Sequence, residues 1–238
     1  MTDEVEIERI LVVVAHPDDV DFSSAGSIAG WTSEGREVSY CIVTDGDAGG
    51  SDPSISRQEM AQIRRREQTA AAAVVGVSDI HWLGYADGRL QSTIELRRDI
   101  SKVIRIVRPQ RVLSSSPQRD LTRMYASHPD HLAAGEAALS AVYPDARNEF
   151  AHPELLADGY EPWSVPEVWI IGTPEPDRFT DITDQIDRKL EALRCHVSQL
   201  PDPDGIGVRL RDMAAATARR AALPEGRYAE GFRYVATA

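Results

Sequence analysis

Residues 10–19 have the sequence ILVVVAHPDD. Six apolar residues in a row, without the polar alternation of a half-exposed strand, predict a β-strand that is covered on both faces. Such a strand lies at the centre of a parallel sheet. Open α/β sheets bind ligands at the carboxyl ends of their strands, which is where the polar residues of this stretch stand. The stretch therefore predicts a fold class and the position of a site.

The flanking sequence alternates between short β-branched runs and longer helical patterns. This order predicts an α/β, Rossmann-like fold, a mostly parallel sheet with helices on both faces. The predicted strands are residues 10–15, 37–44, 79–83, 110–114 and 167–171. The predicted helices are residues 24–34, 57–75, 93–107, 131–142, 181–200 and 214–222. A segment rich in Pro, Glu and Asp, residues 144–166, predicts a long surface loop.

The length and composition fit one globular domain. With 238 residues, 42% of them hydrophobic and 27% charged, the chain can bury a substantial core. We expect a single domain over residues 1–238, with its core in residues 8–145 and a loop, a further strand and C-terminal helices in residues 146–238.

The charge of the chain argues against several classes of partner. A formal net charge of −12 repels phosphate backbones, so nucleic acid is not an expected partner. No window approaches the roughly 18 apolar residues of a membrane helix, and the acidic start differs from a secretory signal, so we expect a cytoplasmic protein. Cys41 and Cys195 lie in unrelated apolar segments, which favours buried thiols over a disulfide or a cysteine zinc site. A homo-oligomer stays possible.

The residues His16-Pro17-Asp18-Asp19 combine the groups that metal-dependent hydrolysis needs. An imidazole and a carboxylate can bind the ion, while a second carboxylate accepts a proton from water. Adjacent side chains project in different directions, so Asp18 and Asp19 are expected to divide into a base and a ligand. The alternative is that either aspartate caps the following helix or a turn.

A second cluster, His128-Pro129-Asp130-His131, opens the helix after the fourth predicted strand. His128 and His131 are one helical turn apart and can share a site. One imidazole can complete a His/Asp/His ligand set, and the other can remain as an acid held in its tautomer by a carboxylate such as Asp130.

The other three histidines of the six have simpler explanations. His152, in the sequence His152-Pro153-Glu154, is a degenerate rival to the two clusters, but it lies in the predicted loop. His81 lies within a strand and is interpreted as a core histidine, and His196 on a late helix is interpreted as structural.

The two clusters together resemble the LmbE/PIG-L family of zinc-dependent N-deacetylases. The matching motifs are AHPDD at residues 15–19 and HPDH at residues 128–131. The segment TDGDAGG at residues 44–50, residues 63–67 and residues 84–90 also match in order. The resemblance covers residues 8–145 well and the remainder loosely.

The resemblance implies three zinc ligands, His16, Asp19 and His131. It also implies that Asp18 is the general base and that His128 acts as the acid or polarises the oxyanion, oriented by Asp130. Arg64 matches a family arginine that contacts substrate or Asp18; the alternative is an exposed helix arginine. Another divalent metal in place of zinc stays open.

The chain departs from the family at one position of the first motif. Many members have glutamate directly after the Asp-Asp pair, whereas this chain has Val20 and then Asp21, whose supporting role stays open. The glycines of residues 46–50 admit a sugar close to the backbone or form a plain turn. Candidates for lining the pocket are Arg119, Arg123 and Tyr125.

The resemblance implies removal of an N-acetyl group from an N-acetylglucosamine-type sugar or a glucosaminyl conjugate. Two alternatives stay open. The same metal site can serve a hydratase or lyase acting on a small dicarboxylate, which a cationic pocket built from arginines would favour. The chain can also be a non-catalytic sugar-binding or nucleotide-binding α/β module, which would purify without stoichiometric zinc.

Overall fold

Seven strands form one sheet in the computed structural model, which describes residues 6–121, 124 and 127–237. The strands are β1 Arg9–Val14, β2 Glu37–Thr44, β3 Asp79–Tyr85, β4 Arg111–Ser115, β5 Glu167–Ile171, β6 Arg178–Asp181 and β7 Ala229–Ala236. Their order across the sheet is β3-β2-β1-β4-β5-β7-β6. The first five strands of this order pair in parallel, and β7 pairs antiparallel with both β5 and β6.

The strand order reverses beside β1. From β1 the chain first builds outward through β2 and β3, and then returns to place β4 on the other side of β1. The loops leaving β1 and β4 therefore diverge to opposite faces of the sheet, and a crevice forms between them at the carboxyl ends of the two strands.

The helices are α1 Asp19–Ser23, α2 Ala25–Ser33, α3 Arg57–Val74, α4 Ile94–Val107, α5 Pro129–Ser140, α6 Pro153–Ala157, α7 Ile186–Arg194 and α8 Pro203–Arg220. A π-helical turn, Ala141–Asp145, follows α5, and a 3₁₀ turn, Thr183–Gln185, precedes α7. Within the part of the chain that the structure describes, none of these helices has the length and apolar character needed to cross a membrane.

Strand β1 is buried on both faces. Leu11 and Val13 pack in a core cluster with Ile100 of α4, while Val12 and Val14 pack on the other face with Ile28 of α2. All four strand residues are fully buried. The predicted Rossmann-like α/β class, with helices on both faces of a mostly parallel sheet, is therefore confirmed.

The structure differs from the predicted elements in several places. The predicted helix 214–222 begins earlier, as α8 at Pro203, and the predicted helix 181–200 is reduced to a 3₁₀ turn and α7, which ends at Arg194. The predicted helix 24–34 is α2, and the short helix α1, which was not predicted, precedes it; the two are separate because the chain bends at Ser24, whose φ of −141° is not helical. The predicted loop 144–166 contains the short helix α6. Strands β6 and β7 were not predicted, because β6 has only four residues and β7 is half-exposed at several positions.

The buried pair Lys189 and Glu230 connects the later part of the chain to α2. The Glu230 carboxylate accepts hydrogen bonds from the backbone N–H groups of Gly26 at 3.1 Å and Ser27 at 2.7 Å, and Lys189 Nζ lies 2.5 Å from it. Glutamate thus satisfies the free N–H groups of the first turn of α2.

Gly135 determines how closely α5 approaches β4. A Cβ added there would lie 2.3 Å from the backbone oxygen of Ser115, which cannot move as a side-chain tip can. Because α5 begins at the second histidine cluster, this contact also sets the distance of that cluster from the sheet.

We expect Gly135→Ala to destabilise the protein by about 1–3 kcal/mol through overpacking, in spite of the better helix propensity of alanine. Gly207→Ala in α8 is the matched control, because a Cβ there meets nothing within 4 Å. It should be neutral or stabilise by roughly 0.5–1 kcal/mol. Urea unfolding of both variants measures the difference, and equal stabilities would show that α5 can shift freely.

Candidate active site

The two histidine clusters meet at the crevice between β1 and β4. His16 follows β1 and begins the turn that leads into α1. His128 is the N-cap residue of α5, and His131 lies in the first turn of that helix. Parallel pairing of β1 with β4 brings these positions, more than one hundred residues apart in sequence, to the same edge of the sheet.

The side chains of His16, Asp19 and His131 form a small triangle, in which Asp19 contributes both of its carboxylate oxygens. His16 Nδ1 lies 3.1 Å from His131 Nε2, and His131 Nε2 lies 3.0 Å from Asp19 Oδ1. Asp19 Oδ2 is 3.6 Å from His16 Nδ1 and accepts a hydrogen bond of 2.8 Å from the His16 backbone N–H. Two imidazole nitrogens and a carboxylate therefore converge on one point.

The other ring nitrogen of His16 faces two carboxylates. His16 Nε2 lies 3.1 Å from Asp87 Oδ1 and 3.2 Å from Asp130 Oδ2. Asp130 also accepts hydrogen bonds from the backbone N–H groups of Gly88 at 2.7 Å and Leu90 at 3.1 Å. A carboxylate behind a ligating histidine fixes the orientation and tautomer of the ring. Asp87 and Asp130 stand in that position.

The carboxylates make the cluster favour positive charge. Burial opposes protonation of His16, but its contacts with Asp130, Asp19 and Asp87 raise the pKa of this imidazole to about 12. Burial likewise opposes ionisation of Asp19, but the neighbouring imidazoles of His131 and His16 bring the pKa of Asp19 well below its ordinary value. The site is built to hold a cation among ionised carboxylates.

Asp130 is placed differently from the expectation that its carboxylate orients His128. The carboxylate contacts His16, and the Asp130 backbone N–H donates to His128 Nδ1 at 3.2 Å, because His128 is the helix cap. The nitrogen that accepts this bond carries no proton, so Nε2 of a neutral His128 is a donor. Burial and the charge of His16 both lower the pKa of His128, which favours the neutral ring.

Asp18 occupies a strained backbone conformation. Its φ is 94° and its ψ is −28°, a left-handed region that costs a non-glycine residue about 1–3 kcal/mol. The Asp18 backbone N–H donates to Gln68 Oε1 at 2.8 Å, and Arg64 Nη2 lies 3.1 Å from Asp18 Oδ2. Burial raises the pKa of Asp18, Arg64 opposes the shift and Asp19 adds to it, so that the pKa is about 6.

Arg64 is buried, unlike the exposed helix arginine that was its alternative. It donates from Nη1 to the Gly46 carbonyl at 3.1 Å and from Nη2 to the Pro17 carbonyl. A Cβ on Gly46 or Gly49 would lie 2.7 or 2.6 Å from Arg64 Nη1. At least these two glycines of the 46–50 segment therefore make room for the guanidinium that holds the turn at Pro17 and Asp18.

A cavity of about 460 Å³ opens onto Asp19 and His131, two of the three residues of the triangle. Asp18, Asp19 and His131 line one part of this cavity. The polar side chains of the wall belong to Ser23, Ser115, Ser116, Gln118, Asp120 and Ser127. Phe22 and Ile171 add apolar surface. A larger cavity of about 750 Å³ lies at the amino ends of the strands, beside Arg9 and Arg111, and has no part of the cluster in its wall.

The remaining histidines lie outside this triangle. His152 is buried, with its Nε2 3.3 Å from Asp145 Oδ2, so this rival motif forms a separate pair. His81 is half-buried rather than part of the core, and its Nε2 lies 3.2 Å from Asp79 Oδ2 on the surface.

The candidate pocket residues of the loop before α5 are only partly described. Arg119 is exposed and donates to the Ser127 carbonyl at 3.3 Å rather than lining the cavity. Arg123 and Tyr125 lie outside the described residues.

Three residues at the site were not identified as functional from the sequence. Asp87 follows β3 at the same edge of the sheet, a position that could have drawn attention to it. Gln68 lies inside α3, and His196 pairs with Asp21 at 2.8 Å, directly behind the first motif. Nothing in the local sequence marks Gln68 or His196, because their contacts depend on how distant helices pack.

The donor set fits a divalent cation. Tetrahedral ligands at about 2.1 Å from zinc stand roughly 3.4 Å apart. The two imidazole nitrogens are 3.1 Å apart, and they lie 3.0 and 3.6 Å from the Oδ1 and Oδ2 atoms of Asp19. His128 also offers a ring nitrogen within 4.8 Å of those of His16 and His131. His16, Asp87 and Asp130 form a second such group. There both carboxylates contact Nε2 of His16, on the other side of the ring from the Nδ1 that faces His131, which suits residues that support the ring.

The chain is similar in sequence and fold to known proteins. A diacetylchitobiose deacetylase from Thermococcus kodakarensis is 35% identical over 97% of this chain and 84% of its own length. The solved N,N'-diacetylchitobiose deacetylase from Pyrococcus horikoshii has a TM-score of 0.89 at 33% identity, covering 97% of this chain and 85% of that one. The 4-carboxy-2-hydroxymuconate hydratase from Pseudomonas putida KT2440 has a TM-score of 0.79 at 25% identity, covering 96% of each chain.

The family profile described as GlcNAc-PI de-N-acetylase matches residues 11–142, which include both histidine clusters, α3 and the turn after β3. Together with the identity to the deacetylase relatives, this match shows that the chain belongs to the PIG-L family.

Proposed function

We propose that this protein is a zinc-dependent N-deacetylase that removes the acetyl group from N-acetylglucosamine-type sugars or glucosaminyl conjugates. The observation that carries the proposal is the triangle of His16, Asp19 and His131 donor atoms at the end of a cavity, with the Asp18 carboxylate beside it. Two imidazoles and one carboxylate are a donor set typical of catalytic zinc.

Asp18 is the general base of the proposed reaction. His16, Asp19 and His131 would hold a divalent cation, which when bound would supply Lewis acidity toward water and toward the amide carbonyl. Asp18 accepts the proton of the attacking water, whose oxygen bonds to the carbonyl carbon. The amide C–N bond then breaks, and the proton passes to the leaving nitrogen, giving acetate and a free amine.

His128 stabilises the charge that develops on the carbonyl oxygen. Its Nδ1 accepts the Asp130 backbone N–H, so its Nε2–H is available as a donor. Arg64 is an indirect participant because its guanidinium is engaged by Asp18 Oδ2 and by the Gly46 and Pro17 carbonyls. We assign it the role of holding the base rather than binding the sugar.

The wall of the cavity supports a neutral polar substrate. Hydroxyl and amide side chains alternate there with Phe22 and Ile171, a mixture suited to the hydroxyls and apolar ring faces of a sugar. No arginine or lysine is among the described residues that line the cavity. This composition favours deacetylation over the hydration of a dicarboxylate, even though one structural neighbour is a hydratase.

Asp18→Asn should lower kcat by about 10²–10⁴-fold, because the amide cannot accept the proton of water. Asparagine tolerates the left-handed backbone better than most residues, so the turn and the bound metal should persist. The rate is measured from released acetate, and the bound metal is measured by inductively coupled plasma emission spectroscopy. Asp52→Asn, an equal charge change at an exposed turn, is the control. A variant within threefold of the wild-type rate would exclude Asp18 as the base.

His131→Ala should abolish stoichiometric metal binding, because it removes one corner of the donor triangle. His81→Ala removes a surface imidazole that contacts Asp79 and should keep both metal and rate. Prolonged chelation of the wild type should stop acetate release, and a screen of zinc, manganese, cobalt and iron should identify the ion that restores it. Full activity of the metal-free protein would refute the proposed site.

The substrate is tested by measuring acetate and free amine from N-acetylglucosamine, diacetylchitobiose and N-acetylglucosaminyl conjugates. We expect equal amounts of acetate and amine from at least one of them. Unsaturated dicarboxylates serve as the comparison substrates, and their hydration is measured as a loss of absorbance. Hydration without deacetylation by the metal-loaded protein would replace the proposed function with the hydratase alternative.

A further inference from the structure

A chain of buried hydrogen bonds runs from the Asp18 backbone into the interior. The Asp18 N–H donates to Gln68 Oε1 at 2.8 Å, and Gln68 Nε2 donates to Asp21 Oδ2 at 2.9 Å. His196 Nε2 lies 2.8 Å from the same Asp21 oxygen. We propose that Gln68, Asp21 and His196 are positioning residues that hold Asp18 in its strained, reactive conformation. The inference rests on the role of Asp18 in the proposed function.

The donors and acceptors of this chain of hydrogen bonds can be assigned in only one consistent way. An ionised carboxylate only accepts, so both Gln68 Nε2 and His196 Nε2 donate to Asp21 Oδ2. This fixes the orientation of the Gln68 amide, whose oxygen must then face the Asp18 N–H. Asp18 is thereby held from two sides, by Gln68 at its backbone and by Arg64 at its carboxylate.

Stability alone gives a poor account of the Asp21 and His196 pair. Asp21, Gln68 and His196 are each 0% exposed. Asp21 Oδ1 and His196 Nδ1 have no hydrogen-bond partner among the described residues. Burying ionisable groups with unmatched polar atoms is costly, and apolar residues of similar volume usually fill such a space at least as well. What the pair does provide is a fixed anchor for the Gln68 amide.

His196 comes from a segment beyond the range of the family profile, which ends at residue 142. The segment that follows α7 is docked on α3 by a second contact, since the Ser198 N–H and Oγ both donate to the Glu67 carboxylate at 2.7 Å. The contact of His196 therefore leads to Asp18 through Asp21 and Gln68, while the contact of Ser198 with Glu67 only attaches the segment to α3.

The test compares variants along the chain with a variant of the other contact. Gln68→Met keeps the volume of the side chain but removes the acceptor for the Asp18 N–H, and His196→Leu removes the donor to Asp21. Each should lower kcat by about 10- to 100-fold while KM and metal content stay near wild type. His196→Gln, which can still donate through Nε2, should restore much of the rate.

Ser198→Ala is the matched control, because it weakens the docking of the same segment without touching Asp21. It should lower Tm as His196→Leu does but keep kcat. If Gln68→Met and His196→Leu keep kcat within twofold, or if Ser198→Ala loses as much rate as they do, the positioning role is refuted.

A crystal structure of Gln68→Met separates this inference from the proposed function. We expect Asp18 to leave the φ of 94° and to lose its 3.1 Å contact with Arg64. That shift would support the positioning role even if the wild type deacetylates no sugar. An unchanged Asp18 would overturn the inference whatever the substrate.

Discussion

The pairing of β1 with β2 on one side and with β4 on the other is the constraint on which the rest of the structure depends. It buries both faces of a short apolar strand, so β1 cannot slip by one residue without exchanging its two core faces. With its register fixed, the residue after the strand is fixed as well, and His16 stands opposite the helix that carries His131. The relative positions of the site residues are thus determined by the packing of the sheet.

Electrostatics at this edge organise the catalytic groups into different roles. Three carboxylates contact two imidazoles closely enough that the cluster favours a cation, and Asp19 is the one among them that contacts the His131 nitrogen. Asp87 and Asp130 stand behind His16 on its Nε2 side. Asp18 points to the cavity but is restrained by Arg64. In the proposed mechanism, position relative to the His16 imidazole therefore separates the aspartate that is the ligand, the one that is the base and the two that support the ring.

Much of the fold follows from local sequence, but the supporting part of the site does not. The continuous apolar run of β1 and the β-branched runs of β2 and β5 identify these segments as strands. Their apolar and β-branched residues favour a buried, extended conformation whatever the rest of the chain does. The contacts of Asp130 were only partly predictable, because the sequence shows that it neighbours His128 but not that its carboxylate turns toward His16. Gln68 and His196 were beyond prediction, since their partners lie 50 and 175 residues away.

The Glu230 carboxylate, which binds the first turn of α2, has a kinetic consequence. Its two acceptor contacts join residues 204 and 203 positions apart, among the longest separations that a chain of this size can contain. Closing such a long loop costs configurational entropy before any contact repays it, which slows the search for the native topology. The helix pair beside Asp18 and Asp19 is therefore expected to become fully ordered late, when β7 and α7 have docked. Ordering of the candidate site during folding is therefore coupled to the docking of the C-terminal part of the chain.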